Sequence, residues 1–280
     1  MSPAGAARLL LGAALTAAVG LAAVSGPTQG AWSASVAGPS WQAATATFFT
    51  CAATVDPSLG DGTNPLFALQ FRSTTSPTDV SGNGRNGVYS APATIDTTSR
   101  SAACPRDPAG IWTLNGTSDC VVDTVSLGLL ASTAFSVETW FRTTSTGTIV
   151  AYGATGLAQA PNRAMYVDTG GKVRAWIGGT DSVISTSRVD DGLWHLATVV
   201  FVPSSGTTLY IDGVTSGTAS SMSSAASLLS VGSWTIGCSG TAPTWPAAGA
   251  QYLRGGVRFA AVYPTSLSKT QVEQHYRAGT

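Results

Sequence analysis

Side chains able to do covalent chemistry are sparse in this chain. It has two glutamates, Glu138 and Glu273, and two histidines, His195 and His275. A Ser-His-Asp hydrolase would need one of those histidines as its base. His195 stands beside Trp194 in the apolar run LWHLATVVFV, and His275 precedes Tyr276 in a terminal helical segment. Both read as packed or hydrogen-bonded histidines, and Glu138 reads as a local hydrogen-bonding residue. The sequence holds no Gly-x-Ser-x-Gly elbow and no Gly-x-x-x-x-Gly-Lys phosphate loop. The cysteines, Cys51, Cys104, Cys120 and Cys238, include no Cys-x-x-Cys pair, and with two histidines they lack the ligand spacing of a zinc site.

Binding chemistry is better represented. The segment Gly237–Gly249 (GCSGTAPTWPAAG) sets Trp245 between prolines among small residues. A tryptophan in such a loop offers a flat face for a sugar ring, and Asn162, Arg163 and Asp181 in neighbouring loop segments could supply hydrogen bonds. Trp112, Trp140, Trp176, Trp194 and Trp234 fall within strand-like patterns and are expected in the core or on a sheet face.

These residues must be carried by a β-rich scaffold. FSVETWFR (135–142) alternates Phe135, Val137, Thr139 and Phe141 with Glu138, Trp140 and Arg142, the period of a strand. Residues 148–152, 164–167, 173–177, 207–211, 234–237 and 257–263 are further short strand-like runs, and 193–202 is apolar on both faces, as a central strand is. Asp168-Thr169-Gly170-Gly171 and Asp212-Gly213 are hairpin signals. One helix is predicted, at the end: Ser268 and Gln271 form a capping box, Leu267 can staple onto Val272, and Gly279 can stop it. Many short strands separated by Gly and Asn turns predict a two-sheet sandwich.

Composition narrows the class. Lys plus Arg and Asp plus Glu number 14 each, so the chain lacks the basic excess that nucleic-acid binding requires. Charged residues are only 10%, yet there is a single long apolar run. That run, Leu9 to Val24, follows Arg8 and precedes small residues at Ala23, Ser25, Gly26 and Gly30. It reads as a secretory signal peptide within residues 1–30, with an uncleaved anchor as the alternative, and leaves no membrane span in the mature chain. Residues 31–64 form an N-terminal segment, partly ordered, with Trp32, Trp41, Phe48 and Phe49. Residues 65–280 form the β domain, with no sorting tail expected after the helix. In an exported chain four separated cysteines imply two disulfides, and three pairings are open.

Three segments carry a resemblance. Asp79-Val80-Ser81-Gly82-Asn83-Gly84-Arg85-Asn86-Gly87, the pair FSVETWFR with LWHLATVVF…LYIDG, and Gly255-Gly256-Val257-Arg258-Phe259 through Leu267-Ser268 occur in the order seen in laminin-G-like domains of the concanavalin A-like lectin/glucanase superfamily, with closest likeness to secreted actinobacterial versions. The resemblance implies an all-β, two-sheet antiparallel jelly roll with a short C-terminal helix. It also favours Cys51–Cys104 and Cys120–Cys238 as disulfides, over a local Cys104–Cys120 bridge. The superfamily's β-glucan hydrolases cleave with carboxylates in a Glu-x-Asp-x-(x)-Glu strand pattern, which this sequence lacks. Relatives often hold Ca²⁺ in the Asp-x-Ser-Gly-Asn-Gly loop, for which Asp79 and Asn83 are the matching side chains. Arg258 stands where those relatives carry an acid, so it is expected to repel the ion or replace it by pairing with Asp79. The expectation overall is a non-enzymatic, secreted, surface-associated lectin-like module that binds glycan or a cell-surface protein. The alternative is a structural or adhesive envelope protein working through protein–protein contact.

Overall fold

The structure, a computed structural model, describes residues 50–59, 62–99, 101–108, 110–123, 133–153, 161–178, 181–222 and 232–280. The expected signal segment and Trp32, Trp41, Phe48 and Phe49 lie outside the described residues. The described residues open with a five-residue helix, α1 (Cys51–Val55), which the sequence patterns did not signal. Strands β1 (Phe67–Gln70), β2 (Thr78–Asp79), β3 (Gly87–Tyr89), β4 (Thr94–Asp96), β5 (Ile111–Asn115) and β6 (Val121–Asp123) follow. The middle of the chain forms β7 (Phe135–Thr143), β8 (Gly147–Gly153), β9 (Pro161–Val167), β10 (Lys172–Trp176), β11 (Val183–Arg188) and β12 (His195–Val202). It ends with β13 (Gly206–Ile211), β14 (Val214–Ala219), β15 (Ser233–Ile236), β16 (Arg254–Tyr263) and α2 (Lys269–Ala278).

These strands make two antiparallel sheets. One runs β14-β13-β12-β7-β16-β1-β2, with β5 pairing a second stretch of β16 and β4 pairing β5. The other runs β11-β10-β9-β8-β15-β6-β3. Between them lies one core, with Phe135, Val137, Phe141, Val199 and Phe201 from the nine-stranded sheet facing Val150, Tyr152, Met165, Val173 and Trp234 from the seven-stranded one. The alternation read in FSVETWFR holds, but its second face is not solvent. Glu138 and Trp140 are 1% and 3% exposed. Trp140 joins Leu196, Val200, Phe259 and Val272 of α2 in a second cluster on the outside of the nine-stranded sheet. A strand buried on both faces must carry apolar groups on both, which is why β12 reads as a continuous hydrophobic run, while β7 buries Glu138 among partners.

The covering layer is tied down by polar groups with their partners buried alongside. Glu138 accepts from Tyr263 Oη at 2.6 Å and lies 2.9 and 3.1 Å from His275 Nδ1, fixing α2 to the sheet. These bonds span more than a hundred residues of sequence, so Glu138 is a long-range joint and not a local one. The capping box at Ser268 and Gln271 is formed as expected. Arg258 donates to the carbonyl oxygens of Ala103, Cys104, Asp107, Pro108 and Gly110 at 2.6–3.3 Å. It does not pair with Asp79. A buried guanidinium needs acceptors around its whole rim, and this loop supplies five. Asp107 in turn accepts from the backbone N–H of Cys51 and Ala52, docking α1. The disulfides are Cys51–Cys104 and Cys120–Cys238. Among the described residues no helix is long and apolar enough to cross a membrane.

Removing the Glu138 carboxylate would leave His275 and Tyr263 buried without their acceptor. Glu138→Ala should therefore lower unfolding free energy by about 3 kcal/mol, with a smaller loss for Glu138→Gln, read from urea denaturation curves.

Candidate ligand-binding face

The outer face of the seven-stranded sheet carries the exposed chemistry. Along β10 the apolar Val173 and Ala175 point into the core, so Lys172, Arg174 and Trp176 point out. On β9, Ala164 and Tyr166 face the same way. Trp176 pairs across the strands with Ala164, and Ala164 with Ala151 of β8, a row of small side chains that leaves room above the sheet.

Into that room folds the loop between β15 and β16. Its neck is closed by the bridge between Cys238 and Tyr252 and by Leu253 N–H donating to the Gly237 carbonyl. From its tip Trp245 packs 5.5 Å, centre to centre, from both Tyr166 and Trp176. Tyr166 Oη donates to the Pro246 carbonyl at 2.6 Å and holds the loop down. Trp245 is thereby only 5% exposed, and Trp176 is the half-buried member that keeps a face toward solvent. The indole Nε1 of Trp245 and the amide Oδ1 of Asn162 are buried without a hydrogen-bond partner.

Charge at this face is arranged by Asp168. Its Oδ1 accepts the backbone N–H of Gly170 and Lys172 in the β9–β10 turn, and its Oδ2 accepts Arg174 Nε at 2.6 Å. Burial alone would raise its pKa, but these donors outweigh it and hold the carboxyl below the usual range. Arg174 Nη1 also donates to Ser182 Oγ at 2.9 Å, next to the exposed Asp181.

The expected ligand residues are thus only partly gathered. Trp245 lies on the face, but packed into an aromatic cluster. Asn162 and Arg163 belong to strand β9 and not to a loop, because the strand starts at Pro161. Arg163 turns the other way, into the core. Trp176 and Tyr166 join Trp245 on this candidate face without having been singled out in the sequence, although the pattern Lys-Val-Arg-Ala-Trp places Trp176 on one face with Lys172 and Arg174.

Elsewhere, Asp79 Oδ1 accepts from Ala68 N–H, Ser81 N–H and Ser81 Oγ, and Oδ2 accepts from Arg85 N–H. Asn83 Nδ2 donates to the Pro65 carbonyl and to Ser81 Oγ. A lone carboxylate already saturated by N–H and O–H donors does not fit a cation that wants six to eight free oxygens. His195 sits between two acids, with Nδ1 2.8 Å from Asp212 and Nε2 3.2 Å from Asp191. Asp212 and Gly213 have φ of 54° and 76°, the left-handed pair of a type I′ turn.

A family model for the concanavalin A-like lectin/glucanases superfamily, of laminin-G type, matches residues 115–273, more than half of the chain. The chain belongs to the concanavalin A-like lectin/glucanase superfamily. No curated protein sequence matches this laminin-G-like chain. Among solved structures, Trypanosoma rangeli sialidase is similar with 15% identity and a TM-score of 0.54, covering 77% of this chain and 34% of the sialidase. The chain therefore spans about a third of that enzyme's length. Domain 4 of AbnA, an extracellular arabinanase from Geobacillus stearothermophilus, seen with arabinotriose, gives 15% identity and a TM-score of 0.54 over 76% of this chain and 98% of that one. The ligand-binding domain of botulinum neurotoxin serotype D, seen with N-acetylneuraminic acid, gives 13% and 0.52 over 76% of this chain and 50% of that one. At these identities the likeness shows the jelly-roll fold.

Burial pulls the His195 pKa down, but the hydrogen bonds and charges of Asp212 and Asp191 outweigh it and set it above the ordinary value. Stability from the protonated form is complete below the unfolded pKa, near 6.5, and is lost as pH rises through the folded one. The stability gap between the wild type and His195→Gln should be widest near pH 5–6 and shrink above pH 7, in denaturation curves taken across that range.

Proposed function

We propose that this jelly roll is a secreted, non-catalytic glycan-binding module that takes sugar on the outer face of its seven-stranded sheet. The observation that carries this is the Trp176–Trp245–Tyr166 cluster. It supports the half-buried indole face of Trp176 from behind, with Lys172 and Arg174 on the same face of β10. Rigid aromatic surface with a few fixed polar groups is what a sugar ring needs, because its C–H face stacks and its hydroxyls hydrogen-bond. Arg174, held by Asp168 and Ser182, adds an oriented donor at the same face. The arabinanase domain with arabinotriose and the neurotoxin domain with N-acetylneuraminic acid, which share the fold, lend support.

The non-catalytic part of the reading rests on the acids. Glycosidic cleavage by a retaining or inverting route takes two carboxyl groups across one bond. Glu138 is committed to His275 and Tyr263 under α2, Glu273 lies beside Lys269 on α2, and Asp168 is tied to Arg174. Secretion fits the two disulfides and the signal-like N-terminus. The Asp79 loop, in this reading, is closed by its own hydrogen bonds and needs no calcium.

A glycan array followed by isothermal titration should find a ligand, and Trp176→Ala should weaken it by roughly three- to tenfold, the size of a lost stacking contact, with an unchanged circular dichroism spectrum. Silence across a broad array, or full affinity in Trp176→Ala, would refute the proposal. EDTA should leave Tm unchanged, since a cation bound only by the folded state would raise it; a fall in Tm would restore calcium to the loop.

A further inference from the structure

The layer that covers the nine-stranded sheet stops part-way along β16. Toward the end of that strand Phe259, Ala261 and Tyr263 lie in the cluster beneath α1 and α2. At its start the outer face is open. Arg254 is exposed there, as are Thr113 and Asn115 on β5 and Arg142 on β7. The register puts these four on one face: Arg254 pairs with Asn115, and Gly256 pairs with Thr113 on one side and Arg142 on the other. Their neighbours Leu114, Phe141 and Val257 point into the core.

The outward residue between Thr113 and Arg142 is therefore a glycine, which leaves a low floor. Glycine inside a strand often marks a close approach. A Cβ at Gly256 would lie 3.1 Å from Arg142 Nε and 3.2 Å from Trp194 Cη2. The missing side chain lets both groups lie down over the strand, with the Arg142 guanidinium carbon 5.2 Å from the Trp194 ring centre. A guanidinium stacked on an indole keeps its N–H edge free for an oxyanion. Arg254 leans the other way, toward the β5–β6 turn: its Cβ would be 2.8 Å and its Cγ 3.4 Å from a Cβ on Gly116.

The two arginines are diagonal neighbours on adjacent strands, about 7–8 Å apart at Cα, and the chain does not neutralise them. Among the described residues neither guanidinium has an ion-pair or hydrogen-bond partner. By contrast, Arg85, Arg106, Arg174, Arg188 and Arg258 all spend theirs on the chain itself. The acids nearest in sequence to this face are engaged elsewhere: Asp191 with His195 and the Leu193 N–H, Asp119 with the Asn115 N–H.

We propose that this open end of the nine-stranded sheet is a second binding site, for an anionic polysaccharide that crosses Gly256 and gives one oxyanion to Arg142 and another to Arg254. The two stems diverge from a shared floor, so they match charges on different sugars of a chain and not one group held between them. Charge-assisted hydrogen bonds from each guanidinium edge supply the attraction. The exposed Thr113 hydroxyl, beside the same floor, adds a contact for a sugar hydroxyl. The chain's even balance of 14 basic and 14 acidic residues favours a polysaccharide over a nucleic acid, which calls for a broad basic excess. This site lies on the opposite sheet from Trp176 and stands whether or not that face takes sugar.

The test titrates the full chain with dextran sulfate, polygalacturonate, uncharged dextran and polydeoxythymidylate, at low and at physiological salt. At least one anionic polysaccharide should bind, dextran should not, and affinity should fall as salt screens the exposed charges. Binding of only the sulfated or only the carboxylated polymer names the oxyanion and upholds the site. Arg142→Gln and Arg254→Gln should each weaken binding roughly two- to fivefold, the size of an exposed ion pair. Together they should weaken it by about tenfold and flatten its salt dependence. Arg142→Lys, which keeps the charge without the fork, should fall between wild type and Arg142→Gln. Arg277→Gln, at an exposed position on α2, and Trp176→Ala should leave polyanion binding unchanged. Undiminished binding in the double variant, equal binding of dextran, indifference to salt, or no polyanion binding by the wild type overturns the proposal. Polydeoxythymidylate bound as tightly as the better polysaccharide overturns the choice of ligand. Loss of polyanion binding in Trp176→Ala would move the site to the other sheet and overturn it as well.

Discussion

Everything in the molecule turns on the nine-stranded sheet being buried on both sides. Arg258 is the joint that makes this work. It reaches from the closing strand β16 to five carbonyl oxygens of the segment from Ala103 to Gly110 and holds that segment flat against the sheet. Asp107 of the same segment anchors α1, and the Cys51–Cys104 bridge secures it. On the neighbouring strand Glu138 does the same for α2. With most of the outside of that sheet covered, the half-buried aromatic and charged side chains of β10 lie on the outer face of the other sheet.

The same burial sets how the acids are used. Acids are dangerous to bury unless matched, and nearly every buried polar residue here is spent on architecture. Glu138 sits under a helix, Asp107 caps one, Asp168 organises a hairpin, and Asp79 closes a turn. Arg163 is handled differently: its Nε and Nη1 have no hydrogen-bond partner, and its guanidinium lies over the Phe135 ring.

The sequence revealed the sheets where the period of two was clean. FSVETWFR, LWHLATVVFV and the Asp-Gly turn appear as β7, β12 and a left-handed hairpin turn, and the terminal helix begins at Ser268 with its capping box intact. Helix α1 escaped notice because five residues are too few for a period, and its start is capped by Thr50 together with a carboxylate 56 residues away. Sites were less legible for the same reason: they depend on contacts distant along the chain. Trp245 looked free among prolines, but Tyr166 and Trp176, some 70–80 residues earlier, enclose it. Arg163 looked like a turn residue, because nothing in Pro-Asn-Arg betrays that the strand has already begun. Arg258 stood at a position suggestive of pairing with Asp79, yet the loop from Ala103 onward offered more acceptors.

The stretch between Gly237 and Leu253 is pinched shut at its base, by the paired backbone of Cys238 and Tyr252 and by the covalent link from Cys238 to Cys120. Its tip meets the rest of the molecule through a few contacts around one indole. Such an arrangement behaves as an exchangeable cassette: substitutions or insertions near the tip alter the surface presented over the sheet, while the clasp keeps their effects from reaching the folded scaffold. Variation among chains of this type would then concentrate in that insert, and new specificities could be grafted there without redesigning either layer.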